Sequence, residues 1–257
     1  MRCKRFLLLF AVVLMCLSAA CNPEPEPTAE PTLLPATETS LPTATIDWFP
    51  RTPTPLPVVS TTPEESQLTK PTVNDGVIIA QDDFSDESLW QTSSGAEGTV
   101  AYAEKSLTFA VAANKQSLTS LSKHELPSDF YLEVNLDTLM CSPSDQYGLI
   151  LWNNSQSGTF RLWLNCEGKI KLERVLPTGT SQLVSWQTGR KLMPGSPATH
   201  RLVVWSKEGL LEVYLEDTLQ FSHTLHTKPE GVLGVIAQTG GDLPMTIRVS
   251  ELKIMLP

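Results

Sequence analysis

Residues 129–139 read DFYLEVNLDTL. Phe130, Leu132, Val134 and Leu136 alternate with Asp129, Tyr131, Glu133, Asn135 and Asp137. A period of two is that of a strand with one face in a core and the other in water. The same alternation continues outward along the chain. FRLWLNC (160–166) sets Phe160, Leu162 and Leu164 against Arg161, Trp163 and Asn165, and LLEVYLE (210–216) sets Leu211, Val213 and Leu215 against Glu212, Tyr214 and Glu216. TIRVSELKI (246–254) follows the same style. Between such runs lie turn-forming stretches: SPSD, NSQSG, CEGK, PTGT, SKEG and QTGGD. No segment sustains a helical period. Half-buried strands in this number need a second sheet over their apolar faces, so the fold class is all-β, an antiparallel two-sheet sandwich over residues 76–257. These 182 residues suffice for one sizeable core.

The chain before residue 76 differs in kind. MRCKR carries Arg2, Lys4 and Arg5, and the apolar run FLLLFAVVLMCL follows, ending in Ser18, Ala19 and Ala20. That order is a secretory signal over residues 1–20, and the apolar run is shorter than the roughly 20 residues needed to span a bilayer. From Asn22 to Asp75, 54 residues hold 12 of the chain's 20 prolines, 12 threonines and no glycine. Proline removes amide donors, and few large apolar groups offset the ordering entropy, so residues 21–75 read as a disordered Pro/Thr-rich stalk. Fully extended, it would reach up to roughly 100–150 Å. The Thr-Pro repeats also suit glycosylation or a proline-reading partner.

LSAAC (17–21) resembles the lipobox of bacterial lipoproteins. The resemblance implies a lipid on the Cys21 thiol and cleavage just before it, with Ala19 and Ala20 as the small preceding residues. Ser18 stands where that family usually has leucine, and Ser18-x-Ala20 also suits the ordinary signal peptidase, which would leave no lipid. The expected localisation is a lipid-anchored, extracytoplasmic domain in the cell envelope, with the membrane as partner through Cys21.

In the folded part, YGLILW, FRLWLNCEGKIKLE, VVWSKEGLLEVYLEDTLQFSHT, GVLGVIA and TIRVSELKI occur in that order after DDFSD (82–86). This succession resembles the concanavalin A-like (LamG-type) jelly-roll over residues 80–256. Two places depart from it: Glu216-Asp217 stands where many relatives have Asn-Gly, and Val249-Ser250 where they have Phe-Asp. The resemblance implies a jelly-roll and puts any inherited ligand or metal site in doubt. Of five cysteines, Cys3 and Cys16 leave with the signal and Cys21 takes the lipid. Cys141 and Cys166 remain, as a disulfide or as two buried thiols. A hairpin of 147–153 with 159–166 would bring both to one end of a sheet.

Composition narrows the function. The net charge is −9; removing the three cations of residues 1–20 leaves −12, of which −6 falls on the stalk and −6 on the domain. An acidic domain without clustered Lys/Arg argues against nucleic acid. Glycosidases of related folds place carboxylates at alternate strand positions. Here no acidic pair stands at i, i+2 in an expected strand, and Glu133 and Asp137 lie about 13 Å apart at roughly 3.3 Å per residue. No G-x-S-x-G elbow is present. His223-x-x-His226 would point to opposite faces of a strand, so no metal site is expected there. No cofactor is expected; a structural calcium ion on Asp82 and Asp83 is the one ion left open. What remains is an outward face bearing Tyr131, Glu133, Asn135, Asp137, Arg161, Trp163 and Asn165. Rings beside amides and charges suit a polysaccharide; the same rings also serve to cover loops. The expected function is a non-catalytic carbohydrate-binding module. The alternatives are a glycoside hydrolase of the same fold and an adhesive module that binds a surface protein.

Overall fold

The structure, a computed structural model, describes residues 76–257. The expected signal at 1–20, the expected lipidation at Cys21 and the expected stalk at 21–75 fall outside the described residues. Among the described residues no helix is long and apolar enough to cross a membrane.

Fifteen strands form two antiparallel sheets. In chain order, β1 (Val77–Asp82), β2 (Ser93–Gly95), β3 (Gly98–Ala103), β4 (Ser106–Val111), β6 (Phe130–Met140), β11 (Ala198–Lys207), β12 (Leu210–Leu215), β13 (Thr218–Thr224) and β15 (Met245–Leu256) make the larger sheet. Its order is β13-β12-β11-β6-β15-β4-β3-β2, with β1 beside the end of β15. The six-stranded sheet takes β5 (Ser117–Leu126), β7 (Gln146–Asn154), β8 (Gly158–Asn165), β9 (Lys169–Leu176), β10 (Gly179–Thr188) and β14 (Gly231–Gln238), ordered β10-β9-β8-β7-β14-β5. This is the all-β sandwich that the alternation predicts.

The inward side chains are the apolar members of each alternating run. Phe130, Leu132, Val134 and Leu136 from β6 face Leu149, Leu162, Leu164 and Leu172 across the interior, all buried. Trp152 locks the two sheets together. Its ring meets Phe130 of the larger sheet edge-on at 5.5 Å and Phe160 of its own sheet at 5.2 Å. Its indole N–H donates to the Pro127 carbonyl at 3.0 Å. A register shift between Ile150 and Trp152 allows the consecutive Leu151 and Trp152 both to enter the core.

Two features close the ends. Cys141 and Cys166 form a disulfide, with Cα atoms 6.2 Å apart. It sits where the chain passes from β6 in one sheet to β7 in the other. Asp145, fully buried, braces that crossing: its carboxylate accepts the Ser142 and Gly240 amides at 2.7 and 2.8 Å. At the start of the domain, Asp82 accepts the Phe84 amide at 2.7 Å and the Trp90 indole N–H at 2.8 Å, with His124 Nε2 at 3.4 Å. Asp83 Oδ1 accepts the Ser85 amide and hydroxyl. The DDFSD carboxylates thus organise a turn. Among the described residues no group of three or more His, Cys, Asp or Glu is placed to hold a metal ion.

Candidate functional site

The seven outward residues expected to share one face do not. Tyr131, Glu133, Asn135 and Asp137 lie on β6 in the nine-stranded sheet, and Arg161, Trp163 and Asn165 on β8 in the six-stranded sheet. Each set points away from the common core, so the two face opposite sides of the molecule. The physical reason is the crossing at 141–145: β6 and β7 are consecutive in the chain yet belong to different sheets.

The nine-stranded face is closed by its own contacts. Tyr131 is 3% exposed and packs with Val203, Tyr214 and Met255, with Trp205 edge-on at 6.2 Å. Its hydroxyl donates to Glu133 Oε2 at 2.5 Å, and burial followed by the Glu133 carboxylate pushes the phenol pKa well up. Arg201 donates to Glu133 Oε1 at 3.2 Å and pairs with Asp217. Asn135 donates to Glu251 at 2.7 Å, and Asp137 accepts the Thr199 hydroxyl at 2.7 Å.

The six-stranded face is built differently. Its centre is an apolar floor of Ile150, Trp163 and Ile236, with Leu121 and Trp186 alongside. Trp163 is 2% exposed, so this ring is floor and not the open platform its position on the strand suggested. Asn165 is also buried; its Oδ1 accepts the Lys169 amide at 2.7 Å and caps the turn at 166–168. Gly148 pairs with Trp163 and with Ile236 on either side. A Cβ there would meet the Leu162 carbonyl oxygen at 1.9 Å, so only glycine allows the strands this spacing.

Three residues that the alternation did not single out complete this face. Glu173 on β9 is buried and accepts the Trp163 indole N–H at 2.8 Å. Lys171 Nζ stands 2.9 Å from the other Glu173 oxygen, 5.6 Å from the Trp163 ring centre and 4.8 Å from that of Trp186. Trp186, half-buried on the outer strands, is the accessible aromatic ring here. Its signal in the sequence is weak, because two register shifts along β10 break the alternation around it. Arg161 completes the cluster, with Nη1 3.9 Å from Glu173. Trp152 is core, while Trp186 and Trp205 point outward on opposite sheets.

Other carboxylates on this face stand far from Glu173. From Glu173, Glu125 on β5 lies four strands away, about 19 Å at ~4.8 Å per strand, and Glu167 in the turn before β9 is more than about 13 Å along it. Glycoside hydrolysis by paired carboxylates needs separations of about 5–9.5 Å.

No protein-family model matches the chain, and no curated protein matches it in sequence. Solved structures are similar in fold. The catalytic domain of a laminarinase from Thermotoga maritima superposes with a TM-score of 0.55 at 11% identity, over 72% of this chain and 99% of that one. A protein with a galectin-like fold from Bacillus subtilis gives 0.52 at 12% identity, over 70% and 96%. A carbohydrate-binding module, CBM66 of Bacillus subtilis, gives 0.51 at 14% identity, over 66% and 97%. At this level of identity the likeness is one of architecture, and the chain has the jelly-roll β-sandwich fold.

Proposed function

We propose that residues 76–257 form a carbohydrate-binding domain that does not hydrolyse its ligand, and that the ligand lies on the outer face of the six-stranded sheet. One observation carries this reading. The half-buried Trp186 ring stands over an apolar floor beside Lys171, Glu173 and Arg161, the pairing of a flat ring with hydrogen-bonding groups that suits a sugar's C–H face and hydroxyls. The fold supports it, since a carbohydrate-binding module and a laminarinase share the architecture. The LSAAC motif and the Pro/Thr-rich stalk complete the proposal: lipidated Cys21 anchors the protein in the cell envelope, and residues 21–75 hold the domain away from the membrane.

Hydrolysis has one observation on its side. Glu133 on β6 and Asp217 in the turn between β12 and β13 both engage Arg201. The guanidinium fills the space between them where a scissile bond would have to lie, which favours a structural role for the pair. The test is a titration of the purified protein with soluble polysaccharides, followed by tryptophan fluorescence. Saturable binding that is lost in Trp186→Ala, with no reducing sugar released, supports the reading. Release of reducing ends establishes the hydrolase instead, and silence toward every glycan makes a protein partner the better account.

A further inference from the structure

We infer that the ligand of this face is an acidic polysaccharide, carrying carboxylate or sulfate groups, and that Arg161 is the residue that recognises its charge. The inference rests on the proposal that the six-stranded face binds a glycan, and it names the class of glycan.

Among the described residues, Arg161 is incompletely paired. Its side chain is two-thirds covered, at 32% exposure. Its Nε is buried and makes no hydrogen bond among the described residues. The nearest acidic oxygen, on Glu173, is 3.9 Å from Nη1, beyond hydrogen-bond distance. That oxygen already accepts the Trp163 indole N–H, and the other Glu173 oxygen is paired with Lys171. A guanidinium partly removed from water gains most from a hydrogen-bonded anion, and its planar fork matches a carboxylate or sulfate. Among the described residues no carboxylate stands within hydrogen-bonding distance of Arg161, and an anionic group of the ligand would supply one.

The wider charge distribution agrees. The chain from residue 76 onward carries a net charge of −6. Yet along β8 and β9 the outward positions hold Arg161, Lys169 and Lys171 against Glu173, with Glu167 of the intervening turn 2.6 Å from Lys169, a small positive excess. On the neighbouring β10, the half-buried Trp186 offers a pyranose ring an apolar surface. A polyanion approaching an acidic domain is repelled elsewhere and is drawn to this strip.

The experiment compares dextran, dextran sulfate and polygalacturonate by titration of the purified protein at low and high salt. Expected is at least a tenfold preference for an acidic polymer over dextran at low salt, an affinity that falls as salt rises, and loss of the preference in Arg161→Gln while Arg161→Lys retains part of it. A thermal melt of each variant separates lost binding from lost folding, and the salt dependence of the native protein tests the inference even where a variant fails to fold. Dextran bound as tightly as the acidic polymers overturns the inference and leaves the glycan-binding reading standing. An acidic preference that survives in well-folded Arg161→Gln also overturns it. Equal binding of polyacrylate or of anionic phosphatidylglycerol vesicles shows a general anion surface and overturns it too. Failure to bind any glycan removes both readings together.

Discussion

Two tryptophans on one face of the six-stranded sheet have opposite expected behaviour on substitution. Trp163 is floor: its ring is buried with Ile150 and Ile236, and its indole N–H satisfies the buried Glu173. Trp163→Ala removes a large buried side chain and leaves a buried carboxylate short of a donor, with an expected loss of about 3–5 kcal/mol by urea denaturation. Trp186→Ala, at a half-exposed site, should cost less than about 2 kcal/mol and abolish glycan binding. Equal destabilisation by the two would show that Trp186 is structural. His200 makes a separate prediction. It points from β11 into the interior opposite Leu136, and burial lowers its imidazole pKa below 6.5 against the smaller opposing pulls of Glu216, the Met193 backbone and Asp137. The unfolded chain therefore binds more protons as pH falls through 6.5, and stability present above that pH declines below it. Burial beside His226 lowers the His223 pKa as well, so the decline has two sources. Urea midpoints between pH 7.5 and 5.5 should fall in the native protein and fall less in His200→Leu. Identical slopes would remove His200 from the account.

At the scale of the strand, alternation reads one face of each element correctly. Phe130, Leu132, Val134 and Leu136, then Phe160, Leu162 and Leu164, then Leu211, Val213 and Leu215, are all buried in the common core. The turn stretches expected from SPSD, NSQSG, CEGK and SKEG fall between strands β6–β7, β7–β8, β8–β9 and β11–β12. What alternation does not contain is the partner of each strand. Whether β6 and β8 are neighbours depends on pairings between distant segments, such as β6 with β15 and β11. Nor does it show when an outward side chain is covered, as Lys171 covers Trp163. Two element-scale changes test the geometry. The two-residue turn joining β3 and β4 holds Glu104 and Lys105 at φ 49° and 56°, a hairpin turn that favours Asn-Gly. Replacing the pair by Asn-Gly should raise stability by about 1 kcal/mol, offset slightly by the exposed contacts of both side chains. A lower melting temperature would contradict the assigned turn. Gly148→Ala, which drives a Cβ against the Leu162 carbonyl, should destabilise by about 3 kcal/mol or more.

For the whole molecule, the disulfide and the crossing it spans decide which surfaces face which way. The bond between Cys141 and Cys166 closes a separation of 25 residues and should stabilise the domain by about 3 kcal/mol in the chain-entropy treatment. A denaturation series with and without reductant should show that difference; a smaller one would mean that the reduced chain retains the crossing. The same crossing puts two aromatic faces on opposite sides, one around Trp205 and Tyr131 and one around Trp186 and Trp163. On the first, Glu133, Arg201 and the Tyr131 hydroxyl satisfy one another. On the second, Arg161 has its nearest acidic oxygen at 3.9 Å, and Trp186, two strands away, is the half-buried ring. The account therefore turns on which face a glycan covers. The most direct measurement is hydrogen–deuterium exchange of the protein with and without a saturating polysaccharide. Protection confined to β8, β9 and β10 is the predicted result; protection at β6, β11 and β12 would contradict it.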